Sequence, residues 1–164
     1  METASPPDHL TAEERQSWFA LSAVMIKLPF ALDTRLQREA GLSLFEFHVL
    51  SVLAEAPDQT MRMSDLAVFA NGSLSRLSHV VNRLERRAWT RRTPDPDDGR
   101  YNLAILTDAG REKVEQAAPD HYAAVRELVF DGLTAAQARQ LGDIGHRVIR
   151  AIDPDDHCLD FLAS

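Results

Sequence analysis

Between Asn71 and Arg92 six arginines (Arg76, Arg83, Arg86, Arg87, Arg91 and Arg92) stand against one acid, Glu85. The whole chain has 18 Lys+Arg and 25 Asp+Glu, a formal charge of −7. Removing that stretch leaves 12 bases and 24 acids, so a local +5 is set in a body at −12. A guanidinium carries a forked set of donors that suits phosphate oxygens and the O6/N7 edge of guanine. Ser73, Ser75 and Ser78 supply hydroxyls for phosphate or base edges, His79 lies among them, and Asn82 has the donor and acceptor that pair with adenine. A basic stripe on an acidic protein is the pattern of a specific polyanion-binding face. A solvated arginine-rich helix is the alternative on charge alone.

The stripe sits on helical spacing. Ser73 is placed to open a helix to about Arg87, with Leu74, Leu77, Val80/Val81 and Leu84 as its buried side and Ser75, Arg76, Ser78, His79, Asn82, Arg83 and Arg86 opposite. A short helix, about Ser64 to Ala70, precedes it across an Asn71-Gly72 turn. Two short strands follow, Trp89–Thr93 and Asn102–Leu106, around the loop Pro94–Tyr101. Short helix, turn, polar-faced helix and two strands form a helix-turn-helix with a β-wing, and the second helix fits the major groove. Arg62 and Ser64, at the start of this unit, are candidates for backbone phosphate. Arg92 and Arg100 lie on the wing, where Arg100 can reach a neighbouring minor groove.

Longer helices flank the unit. Thr11 and Glu14 make a capping box for a helix with apolar residues at Trp18, Leu21, Met25, Leu28, Leu32 and Leu36, ended by Gly41, with a kink or break expected at Pro29. Ser43 and Glu46 cap a second, apolar helix that stops before Pro57. Pro57–Thr60 reads as a turn. Thr107 opens a long helix bent at Pro119, and Thr134 opens a last amphipathic helix stopped by Pro154. The chain is thus read as mainly α with a small β-wing. Residues 43–106 form the winged helix-turn-helix lobe, 10–40 and 108–152 form flanking dimerisation helices, and 153–164 form an acidic tail.

Several classes are disfavoured. No run approaches the ~20 apolar residues of a membrane span, and no basic-then-apolar leader opens the chain, which points to a cytoplasmic protein. One cysteine, Cys158, permits no intramolecular disulfide or multi-cysteine zinc module. His146, His157, Cys158 and nearby acids have zinc-binding chemistry but no recognised spacing, so no metal is expected. There is no phosphate-cradling glycine loop and no nucleophile elbow, so no catalytic residues are assigned and no cofactor is expected.

The stretch Asp95-Pro-Asp-Asp-Gly-Arg-Tyr-Asn-Leu-Ala-Ile-Leu-Thr-Asp-Ala-Gly110 resembles the wing signature of the MarR family of winged-helix bacterial regulators. Asp98 and Arg100 match its Asp-x-Arg, and Leu106, Thr107 and Gly110 match its Leu-Thr-x-x-Gly. Met63-Ser-Asp-Leu-Ala67 and Val81-Asn-Arg-Leu-Glu85 resemble the family's helix-turn-helix segments. The likeness runs from about Leu10 to Ile152. It implies a homodimer whose first and last two helices interleave, a palindromic operator on double-stranded DNA, repression, and release by a small, often aromatic acid bound between dimer interface and DNA-binding lobe. It also implies a salt bridge between Asp98 and Arg100 within the wing. The apolar terminal helices independently call for a partner to cover them. The family's redox branch uses a cysteine near the chain start, which is missing here, and Gly99 stands where a second basic wing residue is common. Trp18 and His48 are candidates for the effector pocket. The plainer readings are an interface anchor for Trp18, a satisfied buried histidine for His48 and a solvated face for Arg35 and Arg38. The function expected is a sequence-specific, ligand-responsive transcriptional repressor. A dimeric small-molecule-binding or catalytic protein on the same scaffold, without operator binding, is the alternative.

Overall fold

A computed structural model describes residues 9–69 and 73–154. The Asn71-Gly72 turn and the tail with His157 and Cys158 lie outside those residues. Thr11 accepts from the Glu14 amide while the Glu14 carboxylate accepts from the Thr11 amide, opening helix α1, Ala12–Ala40. Gly41, at φ 65°, closes it in the left-handed conformation that glycine adopts without strain. The helix runs through Pro29 without the break expected there. A second capping box, Ser43 with Glu46, opens α2, Leu44–Glu55. Its Phe47, Val49, Leu50, Val52 and Leu53 are all buried, because α2 is the centre of the core.

The turn expected at Pro57–Thr60 is present, with Asp58 at φ 50°, and it leads into a strand, β1 (Thr60–Arg62), that the sequence reading did not assign. Three residues are too few to show alternation. Strand β1 pairs antiparallel with β3 (Asn102–Leu106), which also pairs with β2 (Thr90–Pro94), giving the order β1-β3-β2. Thr60 lies opposite Ile105 and Arg62 opposite Leu103; Thr90 lies opposite Leu106. Helices α3 (Met63–Phe69) and α4 (Leu74–Arg86) sit between β1 and β2 in the chain. Leu66, Leu77, Val81 and Leu84 are wholly buried against α2. Each such side chain contributes roughly 1.5–3 kcal/mol when removed from water.

Thr107 starts α5, Asp108–Val125, and its hydroxyl also donates to the Ala88 carbonyl at 2.6 Å. Gly110 is required there: a Cβ would collide with the Trp89 carbonyl and lie 2.8 Å from Leu106 Cδ1. Helix α5 continues through a π-helical turn, Arg126–Phe130, and Thr134 then caps α6, Ala135–Ile152. Ala117, His121 and Ala124 bury one side of α5. Helix α6 has no buried residue at all.

Candidate nucleic-acid interface

Ser73 caps α4 by accepting from the Arg76 amide at 3.2 Å, which starts the helix with its first amides facing outward. Leu77, Val80, Val81 and Leu84 anchor one side. Leu74, read from sequence as part of that buried stripe, is instead 53% exposed. It is the first helical residue, and its side chain points off the end of the core rather than into it. Ser75, Arg76, His79, Arg83 and Arg86 are exposed and Ser78 and Asn82 half-buried, so the polar side of α4 is free of the lobe.

The arginines divide into two groups. Arg83 Nε donates to Glu46 Oε1 at 3.1 Å, tying α4 to α2. Glu46 is buried, and its other oxygen accepts from the Ser43 amide at 2.9 Å. Burial acts to raise its pKa, but the Ser43 amide and Arg83 outweigh it and hold the carboxyl below its usual value. Arg92 Nε and Nη2 both donate to Glu85 Oε2, at 3.1 and 2.7 Å, and Nη2 also donates to Asn82 Oδ1. Glu85, the one acid of the basic stretch, thereby joins α4 to β2. Bidentate pairing with adenine needs the same Asn82 oxygen, so Arg92 and a base compete for it.

On the wing, Arg100 grips Asp98 in a bidentate pair, with Nη2 to Oδ2 at 2.5 Å and Nε to Oδ1 at 2.9 Å. Arg62 Nε donates to Asp95 Oδ2 at 2.7 Å, and its guanidinium lies 4.9 Å from the Tyr101 ring centre. The Asp97 amide and, against the cost of burial, Arg62 hold the Asp95 carboxyl low. The Arg100 side chain and amide do the same for Asp98. Arg62, Arg83, Arg92 and Arg100 are therefore each paired with an acid. Arg76 stacks on Phe45 at 4.5 Å and has no acid partner, and Arg86 has none among the described residues. The Arg100–Asp98 pair lies at the surface, where such pairs add little stability and serve to orient side chains, whereas the carboxylates that pair with Arg62 and Arg83 are buried. Ser64 is exposed and donates to Asp65 at 3.0 Å.

Trp18 and His48 lie in different places. Trp18 is half exposed beside Leu10, Ser17 and Leu21 on α1. His48 flanks Phe47 on α2 and is exposed on one side, though the protein packed around it lowers its pKa. The buried histidine is His121, 4.5 Å from Phe47, whose Nδ1 has no hydrogen-bond partner. Burial, then the nearby charge of His48, lowers its pKa. Sequence reading passed over His121, although its spacing from Val114, Ala117 and Ala124 put it on the buried side of α5. Arg35, read as solvated, forms a bidentate pair with Glu127 at 2.6 and 2.8 Å across α1 and the π-helical turn.

A polar cavity of about 540 Å³ lies between the end of α1 and α4, with Gln37, Phe45, Ser75, Arg76, His79 and Arg83 on its walls. An apolar trough of about 740 Å³ runs between Val24, Leu28 and Ala31 of α1 and Leu133, Leu141 and Ile144. No helix among the described residues is long and apolar enough to cross a membrane.

The MarR family model matches residues 42–101, the winged lobe. The structure of Sco3205, a MarR family transcriptional regulator from Streptomyces coelicolor in complex with DNA, is similar at TM-score 0.87 with 42% identity, covering 92% of this chain and 94% of that one. That of CouR from Rhodococcus jostii RHA1, bound to p-coumaroyl-CoA, matches at TM-score 0.71 with 25% identity, covering 87% and 95%. The transcriptional repressor IacR of Pseudomonas putida is 28% identical over 110 residues, 65% of this chain and 62% of the repressor. The chain spans about three-fifths of the length of the curated relatives it matches. With a three-stranded wing, a helix-turn-helix and flanking helices in one order, and 42% identity to Sco3205 over nearly its full length, the chain belongs to the MarR family.

Proposed function

We propose that the protein is a homodimeric, sequence-specific DNA-binding repressor of the cytoplasm, without catalytic activity. Helix α4 reads the major groove of a palindromic operator and the β2–β3 wing lies on the adjacent minor groove. The observation that carries this reading is the two-sidedness of α4. Its apolar side is buried, and its outer side presents hydroxyls, His79 and the acid-free guanidinium groups of Arg76 and Arg86. A DNA-bound relative at 42% identity supports it. The dimer forms through α1 and α6, whose Val24, Leu141, Ile144 and Val148 stand exposed. A small carboxylate effector occupies the polar cavity beside α4, pairs with Arg76 and His79 and so competes with DNA. The ligand-bound relative supports the existence of an effector, and Arg76 on the cavity wall, which has no acid partner among the described residues, supports its class.

Fluorescence anisotropy against duplexes selected from a random pool tests the reading. Wild type binds the selected sequence far more tightly than a scrambled one. Arg76→Ala loses about 1–3 kcal/mol and relaxes preference at one base pair if Arg76 contacts a base edge. Arg86→Ala weakens all sequences alike and lowers the salt slope by about 1 if it holds a phosphate. Equal binding of both duplexes by wild type would overturn the reading and favour a ligand-binding protein that does not use its basic face.

A further inference from the structure

Arg62 comes from β1, outside the wing hairpin, yet it reaches the hairpin's buried carboxylate. The Asp95 side chain is 6% exposed, whereas that of Arg100, at the wing surface, is 83% exposed. Asp95 organises the loop that carries Arg100. Its Oδ1 accepts from the Asp97 amide at 3.0 Å, its Oδ2 accepts from Arg62, and its own amide donates to the Tyr101 carbonyl at 2.9 Å. The Tyr101 amide returns a bond to the Asp98 carbonyl at 3.0 Å. Both arginines lean on one ring: Arg62 lies 4.9 Å and Arg100 5.9 Å from the centre of Tyr101. The positive charge of Arg62 also favours ionised Asp98, the partner of Arg100.

This network makes little sense as a phosphate grip. The Nε–H of Arg62 is committed to a buried carboxylate, and part of its cation is stacked on Tyr101. We propose that Arg62 and Asp95 are positioning residues for DNA recognition. They lock the wing loop to β1 and set, through Tyr101, where Arg100 enters the minor groove, without touching DNA themselves. The inference rests on the wing reading proposed above and adds to it the residues that aim the wing.

The test uses the full-length protein and a duplex that wild type selects from a random pool. In a second version, the flanking A·T pairs are replaced by 2,6-diaminopurine·T. This adds an amino group in the minor groove while leaving the bases paired. Wild type should bind the modified flank about tenfold more weakly. Asp95→Asn and Arg62→Lys should each bind the unmodified duplex about tenfold more weakly than wild type and no longer distinguish the two flanks. The double variant should be no worse than either single one. Preference at central, major-groove positions should survive in all three. Asp95→Asn removes a negative charge, and Arg62→Lys retains the positive one. Simple electrostatics therefore predicts tighter binding for the first and unchanged binding for the second, and either result would overturn the inference. So would variants that bind weakly but still sense the flank. If the Asp95→Asn wing folds poorly, Arg62→Lys decides alone, with its urea midpoint as the control. A wild type that selects a sequence yet ignores the modified flank would refute the minor-groove wing and this inference with it. A wild type that selects no sequence would refute the proposed function as a whole.

Discussion

The winged lobe and the flanking helices solve the burial of apolar surface in opposite ways. In the lobe, residues 42–106 supply most of a closed core, which Leu36 of α1 and Ala117 of α5 complete: Leu42, Leu50, Leu53, Leu66, Leu77 and Leu84 are wholly buried. Four of the arginines at its surface, Arg62, Arg83, Arg92 and Arg100, are each matched to an acid. In the flanking helices, α6 buries nothing, and Phe19, Ile26 and Phe30 of α1 are 65–74% exposed. An 18-residue helix with an apolar stripe that nothing among the described residues buries does not hold by helix propensity alone. The lobe is complete within one chain, whereas the arms are complete only against another surface. In the dimer proposed above, specificity would reside in a preassembled unit, and the spacing between two such units would be left to the association of the arms.

Breaking the arms should have the largest effect. Leu141→Asp with Ile144→Asp places two charges on the apolar stripe of α6. Light scattering should show a monomer, and operator affinity should fall about 10²–10⁴-fold, because two linked half-sites become one. Intact dimers with normal affinity would move the interface off α6. Within the lobe, Gly110→Ala forces a methyl into the Trp89 carbonyl, where backbone on both sides resists movement. It should cost ~3 kcal/mol in urea unfolding while leaving the mass of the native assembly unchanged. A midpoint within error of wild type would mean that the junction between wing and α5 yields easily.

The smallest expected effect probes the seam between the two regions, where α2 meets α5. His121 is buried against Phe47 with its pKa held below the ordinary 6.5. The unfolded chain binds a proton there more readily than the folded one. Stability is therefore full above about pH 6.5 and falls as pH drops through the lowered folded value. The thermal midpoint of wild type should drop by ~2–4 °C more than that of His121→Phe between pH 7 and pH 5. Identical curves would mean that the seam opens to water before His121 is charged. The carboxylates Glu46, Asp95 and Asp98 act in the same sense but only at lower pH, since theirs are depressed from already acidic values.

Capping boxes at Thr11 and Ser43 were legible because each needs only two residues three apart, and the cap at Thr134 was read without its Gln137 partner. The polar side of α4 was legible from period alone. Pairings between elements were not. Arg83 with Glu46, 37 residues away, and Arg62 with Asp95, 33 away, depend on a packing that no local pattern encodes. Leu74 was misread for a related reason. Periodicity assigns a phase to a residue but not its height along the helix, and the first turn of α4 extends beyond the core. Strand β1 escaped notice because it exists through β3, not through its own three residues.

The π-helical turn Arg126–Phe130 has a consequence for how one helix serves two masters. A wider turn takes up an additional residue and rotates everything after it by roughly 100° relative to an unbroken α-helix. Before the turn, Ala117, His121 and Ala124 face the chain's own core. Leu128 and Val129 within it, and Leu133 beyond it, line the open trough toward α1 and α6. The turn works as a phase shifter. It lets a single run of sequence hand its apolar side from the chain's own core to the open trough, and Arg35, paired with Glu127, sits at the point of handover.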